Sequence, residues 1–183
     1  MLTEKILNKL ILKTDRFYLR PLLKSDVSCR YLSWMNDVII KKYIVSANNK
    51  NNIETLKQFV NEKTNKSDCL FLGIFSNEND LHIGNIKYEP INFDDGIATM
   101  GIMIGDVNWR GKNVFSEVLL TSSKWLKSEF NISNIQLGVE EDNINAIRAY
   151  KKLGFIESKK LPDVDLDPNA LKMNLNIDAI KSF

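Results

Sequence analysis

The sequence predicts a single α/β (α+β) domain: a mostly antiparallel, strongly twisted sheet of about seven strands flanked by helices, with the fourth and fifth strands running parallel. Three observations point there. The 183 residues with 44% hydrophobic content suit one compact domain, residues 1–183, with a full core. Three strand-like runs, "CLFLGIFS", "LHIGNIKYEPINF" and "IATMGIMIG", follow one another with only short turns between them, as antiparallel neighbours do. The helical stretch "FSEVLLTSSKWL" then separates "IATMGIMIG" from "NIQLGVE", and parallel neighbours need a crossover of about that length.

Each element has its own signal. In "MLTEKILNKLILKT" the apolar residues are interrupted by Glu4, Lys5, Asn8 and Lys9, so the start lacks the unbroken apolar run of a signal peptide or membrane span. Residues 1–13 read as an N-terminal extension: a short amphipathic helix packed on the domain or on a second subunit of a homodimer, or a frayed end. A cytoplasmic location without membrane contact is expected. "RFYLRPL" alternates and stops at Pro21, a first strand. Ser25 or Asp26 is the expected cap for "DVSCRYLSWMNDVIIKKYI", where Val27, Tyr31, Leu32, Met35 and Ile39 recur at helical spacing in two short helices broken near Asn36 and Asp37.

"SANNKNN" is a loop, and "NIETLKQFVNEKTN" a helix with Ile53, Leu56, Phe59 and Val60 on one face. After the three central strands come a helix from Val114 to Phe130, the strand "NIQLGVE", the helix "NINAIRAYKKL", and the strands "GFIESKK" and "LKMNLNI". "LPDVDLDPNA" reads as an exposed loop between the last two strands. No internal repeat or dividing linker is visible.

Composition narrows the function classes. Cys29 and Cys69 lack metal-ligand spacing and the chain has one histidine, so no metal site is expected. The net charge is only +2 and the lysines are scattered, which makes nucleic acid a poor partner.

Chemistry concentrates around "NWRGKNVFSEVLL", a basic, glycine-containing turn between a strand and a helix. A helix start has unpaired N–H groups and partial positive charge, so such a turn can receive phosphate; an ordinary loop with solvated charges has the same appearance. Paired with "VEEDNINAIRAYKKLGFIE", the segment resembles the signature regions of the GNAT superfamily of acyl-CoA-dependent N-acetyltransferases, and "YLSWMND" and "GIMIGD" resemble the subgroup similar to ribosomal-protein alanine acetyltransferases and nucleotide-amino-sugar acetyltransferases. The resemblance covers the chain from about Thr14. In the second segment Asn143, Asn145, Ala146, Ala149, Tyr150, Leu153, Gly154 and Phe155 match. The first departs from the family pattern of Gln or Arg, two residues, Gly, one residue, then Gly or Ala: here Arg110, Gly111, Lys112, Asn113, Val114 and Phe115 follow one another, with Asn113 for the usual glycine and Phe115 for the usual small residue. Asparagine tolerates left-handed angles, whereas Phe115 adds bulk where N–H groups should stay open.

The resemblance implies acetyl-CoA as cosubstrate, no metal, and a small amine as acceptor. The fourth and fifth strands would splay, and the pantetheine arm would pair with main chain around Met103, Ile104 and Gly105. Pyrophosphate would sit on Arg110, Gly111, Lys112, Asn113, Val114 and Phe115, and Asn143 and Ala146 would contact the arm. Tyr150 would protonate the departing thiolate. Read from the residues alone, Tyr150 is a core aromatic with its hydroxyl at a rim and Asn143 a helix N-cap. Many relatives carry a glutamate base where Thr99 stands here; a water chain to Glu89 or to backbone carbonyls is the expected substitute for a weakly basic amine. Tyr31, Trp34, Asn36 and Tyr88 are the expected acceptor-binding residues. Three functions fit: transfer to an amino sugar, which the subgroup favours; protein N-terminal acetylation; and a non-catalytic acyl-CoA-binding or interaction module.

Overall fold

The structure, a computed structural model, describes residues 2–44, 47, 51–158 and 170–180. In chain order the elements are α1 (Glu4–Leu7), β1 (Leu12–Lys13), β2 (Phe17–Pro21), α2 (Cys29–Met35), α3 (Val38–Tyr43), α4 (Ile53–Thr64), β3 (Leu70–Ser76), β4 (His82–Asn92), β5 (Ile97–Ile104), α5 (Val114–Phe130), β6 (Asn134–Val139), α6 (Ile144–Leu153), β7 (Ile156–Glu157) and β8 (Leu171–Asn176). Among the described residues the strands form one eight-stranded sheet in the order β1-β2-β3-β4-β5-β6-β8-β7. Every neighbouring pair is antiparallel except β5 and β6, joined by the α5 crossover. The strand beyond the expected seven is β1, a two-residue edge too short to leave a pattern. The "LPDVDLDPNA" segment lies almost wholly outside the described residues.

Helices cover both faces because strand alternation sends apolar residues both ways. On one face Leu70, Leu72, Ile86, Tyr88, Met100 and Ile135 pack with Val118, Leu119 and Leu126 of α5. On the other, Cys69, Phe71 and Met103 meet Tyr31, Trp34, Met35, Ile40, Leu56 and Val60 from α2, α3 and α4. The chain start packs on the domain: Leu2, Leu10 and Leu12 join the first core, and the Leu2 N–H donates to Ser67 O at 3.1 Å.

The break between α2 and α3 falls at Asn36 and Asp37, and the Asp37 carboxylate accepts from the Ile39 and Ile40 N–H groups. The cap of α2 is Ser28, rather than Ser25 or Asp26, with its hydroxyl accepting from Tyr31 N–H at 3.2 Å. Asp26 is already committed, both carboxylate oxygens being held at 2.7 Å by Arg20.

The feature that positions the site is the seam between β5 and β6. They pair only at Ile97 with Asn134, Ala98 with Ile135 and Thr99 with Gln136. Beyond Thr99 the strands part, and β5 continues on β4 alone as far as Ile104.

Candidate active site

Hydrogen-bond alternation decides which groups line the opening. Gly105 N–H donates to Ile83 O at 3.0 Å, and the antiparallel register pairs Met103 with Asn85 and Gly101 with Lys87. These alternate residues spend their main-chain groups on β4, so Ile102 and Ile104 turn theirs toward the parted β6. Of the three residues expected to line the opening, Ile104 turns main chain toward it while Met103 and Gly105 face β4. Ile104 keeps its N–H, while its carbonyl accepts from Arg110 Nε at 3.0 Å. Arg110 Nη2 also donates to Gly105 O at 3.0 Å. The guanidinium expected to face phosphate therefore braces the end of β5.

The turn itself survives the missing glycine. Gly111 and Asn113 both take positive φ, 73° and 58°. Asn113 precedes Val114 with no side-chain cap on the first N–H groups of α5, and the space beside Gly111 where a Cβ would stand is open. Alternating left-handed residues at a helix start turn successive N–H groups into a concavity suited to an anion. Lys112 is exposed, its ammonium 5.7 Å from the Trp109 ring centre. Its carbonyl accepts from Arg16 Nη2 at 2.8 Å, and Arg16 Nε binds Glu117 at 2.6 Å, bringing a cation from the start of β2 that local motif reading missed.

Phe115 turns toward α6, its ring 5.2 Å from that of Tyr150 and nearly perpendicular at 81°. The bulk expected to crowd the phosphate turn serves as a support for Tyr150. Phe155 packs on Tyr150 as well, at 5.5 Å. Burial pushes the Tyr150 phenol up to about 12, so it keeps its proton at neutral pH. Its hydroxyl makes no hydrogen bond among the described residues. Asn143 Oδ1 caps α6 by accepting from Ala146 N–H at 3.3 Å, and Gly154 closes the helix.

The acceptor-side expectations divide. Tyr88 is fully buried on the α5 face, its hydroxyl 2.7 Å from Ser122 Oγ, and alternation sends it to the opposite face from α2 and α3. It is a core residue. Tyr31 is also buried, which raises its pKa. Trp34 is 6% exposed and lies flat on Gly105, where any Cβ would overlap its ring. Asn36 is exposed at the end of α2. His82 stacks at 4.8 Å on Phe75. Its Nε2 lies 2.7 Å from Asn85 Oδ1 and 3.0 Å from Gly84 O, and burial lowers its pKa.

Glu89 is held by Lys63, Lys66 and Lys87 at 2.7, 2.8 and 2.6 Å. Burial opposes its ionisation, but the three ammonium groups outweigh burial and hold the carboxyl down at about 2. A carboxylate that acidic is a poor proton acceptor, so the base expected from sequence is instead an ion-pair centre. Asp106 is likewise committed, to Arg30 and to Asn108 N–H. Glu140, at the end of β6, has no side-chain hydrogen bond or ion pair among the described residues. Among those residues there is no group of three His, Cys, Asp or Glu placed to hold a metal, and no helix is long and apolar enough to cross a membrane.

Comparison with known proteins places these features in context. The acetyltransferase (GNAT) domain description matches residues 16–156. The chain is 27% identical over 158 residues to an uncharacterized N-acetyltransferase, p20, of Bacillus licheniformis, covering 84% of this chain and 86% of that one. Its fold is similar to that of RimL, a ribosomal L7/L12 alpha-N-protein acetyltransferase in complex with coenzyme A, with a TM-score of 0.78, 16% identity and coverage of 93% and 99%. Spermidine N-acetyltransferase from Vibrio cholerae, in complex with CoA and spermine, gives a TM-score of 0.74 at 17% identity, covering 91% and 98%.

Proposed function

The chain belongs to the GNAT acetyltransferase domain family, and from that premise we propose that it transfers an acetyl group from acetyl-CoA to the primary amine of a small amino sugar, carried on a nucleotide in its natural form. The observation that carries the transferase reading is the convergence of three unspent features at one end of the sheet. These are the main-chain groups of Ile102 and the N–H of Ile104 beside the parted β6, the open turn from Gly111 to Val114, and the unbonded Tyr150 hydroxyl.

Acetyl-CoA would supply the acyl group as a thioester: the amine nitrogen bonds to the acyl carbon as the carbon–sulfur bond breaks, with the thiol leaving. Ile102 and Ile104 would hold the extended arm as an added strand does, and the α5 start would hold the pyrophosphate. Tyr150, protonated at neutral pH, would give its proton to the departing sulfur. The acceptor's own proton would leave to water, with Glu140 at the end of β6 as a carboxylate not committed to an ion pair among the described residues.

Two neighbours with this fold bear names that specify a protein N-terminus and spermidine, so an amine acceptor is the shared element. A non-catalytic module is favoured by Asn113, by Phe115 and by the lack of a base where Thr99 stands, and the ion pairing of Glu89 leaves that last ground in place. The left-handed turn at Asn113 and the packing of Phe115 on Tyr150 answer the first two grounds. The test is thiol release from acetyl-CoA against a panel of amines, with wild type and Tyr150→Phe compared on the best one. The variant should lose at least about 10-fold in kcat, less than the roughly 10²-fold to 10⁴-fold typical of a general acid because water can partly substitute, with the melting temperature little changed. Equal turnover by both would remove Tyr150 from the chemistry.

A further inference from the structure

Gly101 is an anomaly in β5. It stands mid-strand in the middle of the sheet, yet it is exposed, and a Cβ built on it would meet nothing within 4 Å. The alternation of β5 places it on the α2–α4 face with Thr99 and Met103. Its partner across the ladder is Lys87. Toward β6 the recess is bounded by Thr99, whose hydroxyl accepts from Gln136 Nε2 at 3.0 Å. Gly101 is thus the floor of an open recess immediately beside Ile102, where the strands part.

The charge at this recess is unbalanced. Lys87, Lys63 and Lys66 all converge on the single carboxylate of Glu89; Asp68 also acts on Lys66, so the cluster keeps a formal excess of one positive charge, on the Lys63 and Lys87 side. The side chains of Lys63 and Lys87 are only 21% and 29% exposed, so water compensates them incompletely. An ordinary surface lysine needs no explanation, but Lys87, opposite Gly101 and sharing its one carboxylate with Lys63 and Lys66, does. A cationic polyamine would meet repulsion there, whereas a phosphate group would supply the missing negative charge through charge-assisted hydrogen bonds.

We propose that the recess over Gly101 admits an acceptor carrying a phosphate group, which Lys87, backed by Lys63, recognises. This rests on the proposed amino-sugar acceptor, whose phosphate is already implied, and assigns the residues that would recognise that phosphate and select against polyamines.

The test compares glucosamine, glucosamine 6-phosphate and spermidine as acceptors for wild type, Lys87→Met and Lys87→Arg, following thiol release. Wild type should prefer glucosamine 6-phosphate over glucosamine in kcat/KM by about 10-fold or more, the size of one charge-assisted hydrogen bond. Spermidine should be the poorest. Lys87→Met should collapse that preference and Lys87→Arg retain most of it. Equal use of the two sugars, a preference for spermidine, or an unchanged preference in Lys87→Met would overturn the proposal.

A binding measurement separates failure of the anion site from failure of the transferase reading. With CoA saturating, so that the cofactor's own phosphate positions are filled, glucosamine 6-phosphate but not glucosamine should raise the melting temperature of wild type, and Lys87→Met should abolish the rise. No thiol release with any amine would sink the transferase reading alone. Absence of the selective thermal shift would sink the anion site.

Discussion

Replacing Glu89 with glutamine separates a structural carboxylate from a catalytic one. The folded carboxyl lies at about 2 against an ordinary value of 4.5, a gap equivalent to a ceiling of about 3 kcal/mol of stability. Lys66 is 50% exposed, so solvent screens part of that, and about 1 to 2 kcal/mol is the working figure. The sign follows from a depressed pKa. The contribution is fully present above the unfolded value of 4.5, declines as pH falls, and is gone near pH 2. Glu89→Gln should therefore lower the melting temperature at pH 7 by about 2 to 8 °C for a domain of this size. The gap between the two proteins should narrow from pH 4.5 downward. Thermal unfolding followed by circular dichroism from pH 7 to 2.5, with kcat measured in parallel, provides the test. If the melting temperatures coincide at pH 7 while kcat collapses, Glu89 is a base after all and the ion-pair argument is wrong.

Gly105→Ala puts a methyl group into the Trp34 ring and should cost about 1 to 3 kcal/mol by overpacking; unchanged denaturant unfolding would mean that the contact between α2 and β5 is loose. Tyr88→Phe removes one partner of a buried hydroxyl pair and should destabilise by about 1 kcal/mol with acceptor KM unaltered, whereas a raised KM would return Tyr88 to the substrate site.

The sequence was most readable where a signal is local. The helix Val114–Phe130 announced itself by its period, the break at Asn36 and Asp37 by its polar pair, and the parallel seam by the crossover between two apolar strands. Competition from distant residues was less visible. Asp26 looks like a cap until Arg20 takes both its oxygens. Glu89 looks like an available base until α4 and β4 bring three lysines to it. Tyr88 and Glu89 must point to opposite faces of a strand, but which face meets α5 depends on how the layers assemble. That Ile102 and Ile104 turn their main chain away from β4, whereas Met103 and Gly105 do not, needed the β4 register, which no single segment contains.

The seam between β5 and β6 has a mechanical consequence. With three ladder pairs across it, the sheet is nearly two panels, one of five strands and one of three, meeting along a short hinge with α5 as the covalent strap. A cosubstrate arm laid against Ile102 and Ile104 would lengthen that hinge, so the ligand would act as a rung of the scaffold as well as a reagent. Loss of the arm after transfer would return the panels to their short joint, linking product departure to the stiffness of the whole sheet.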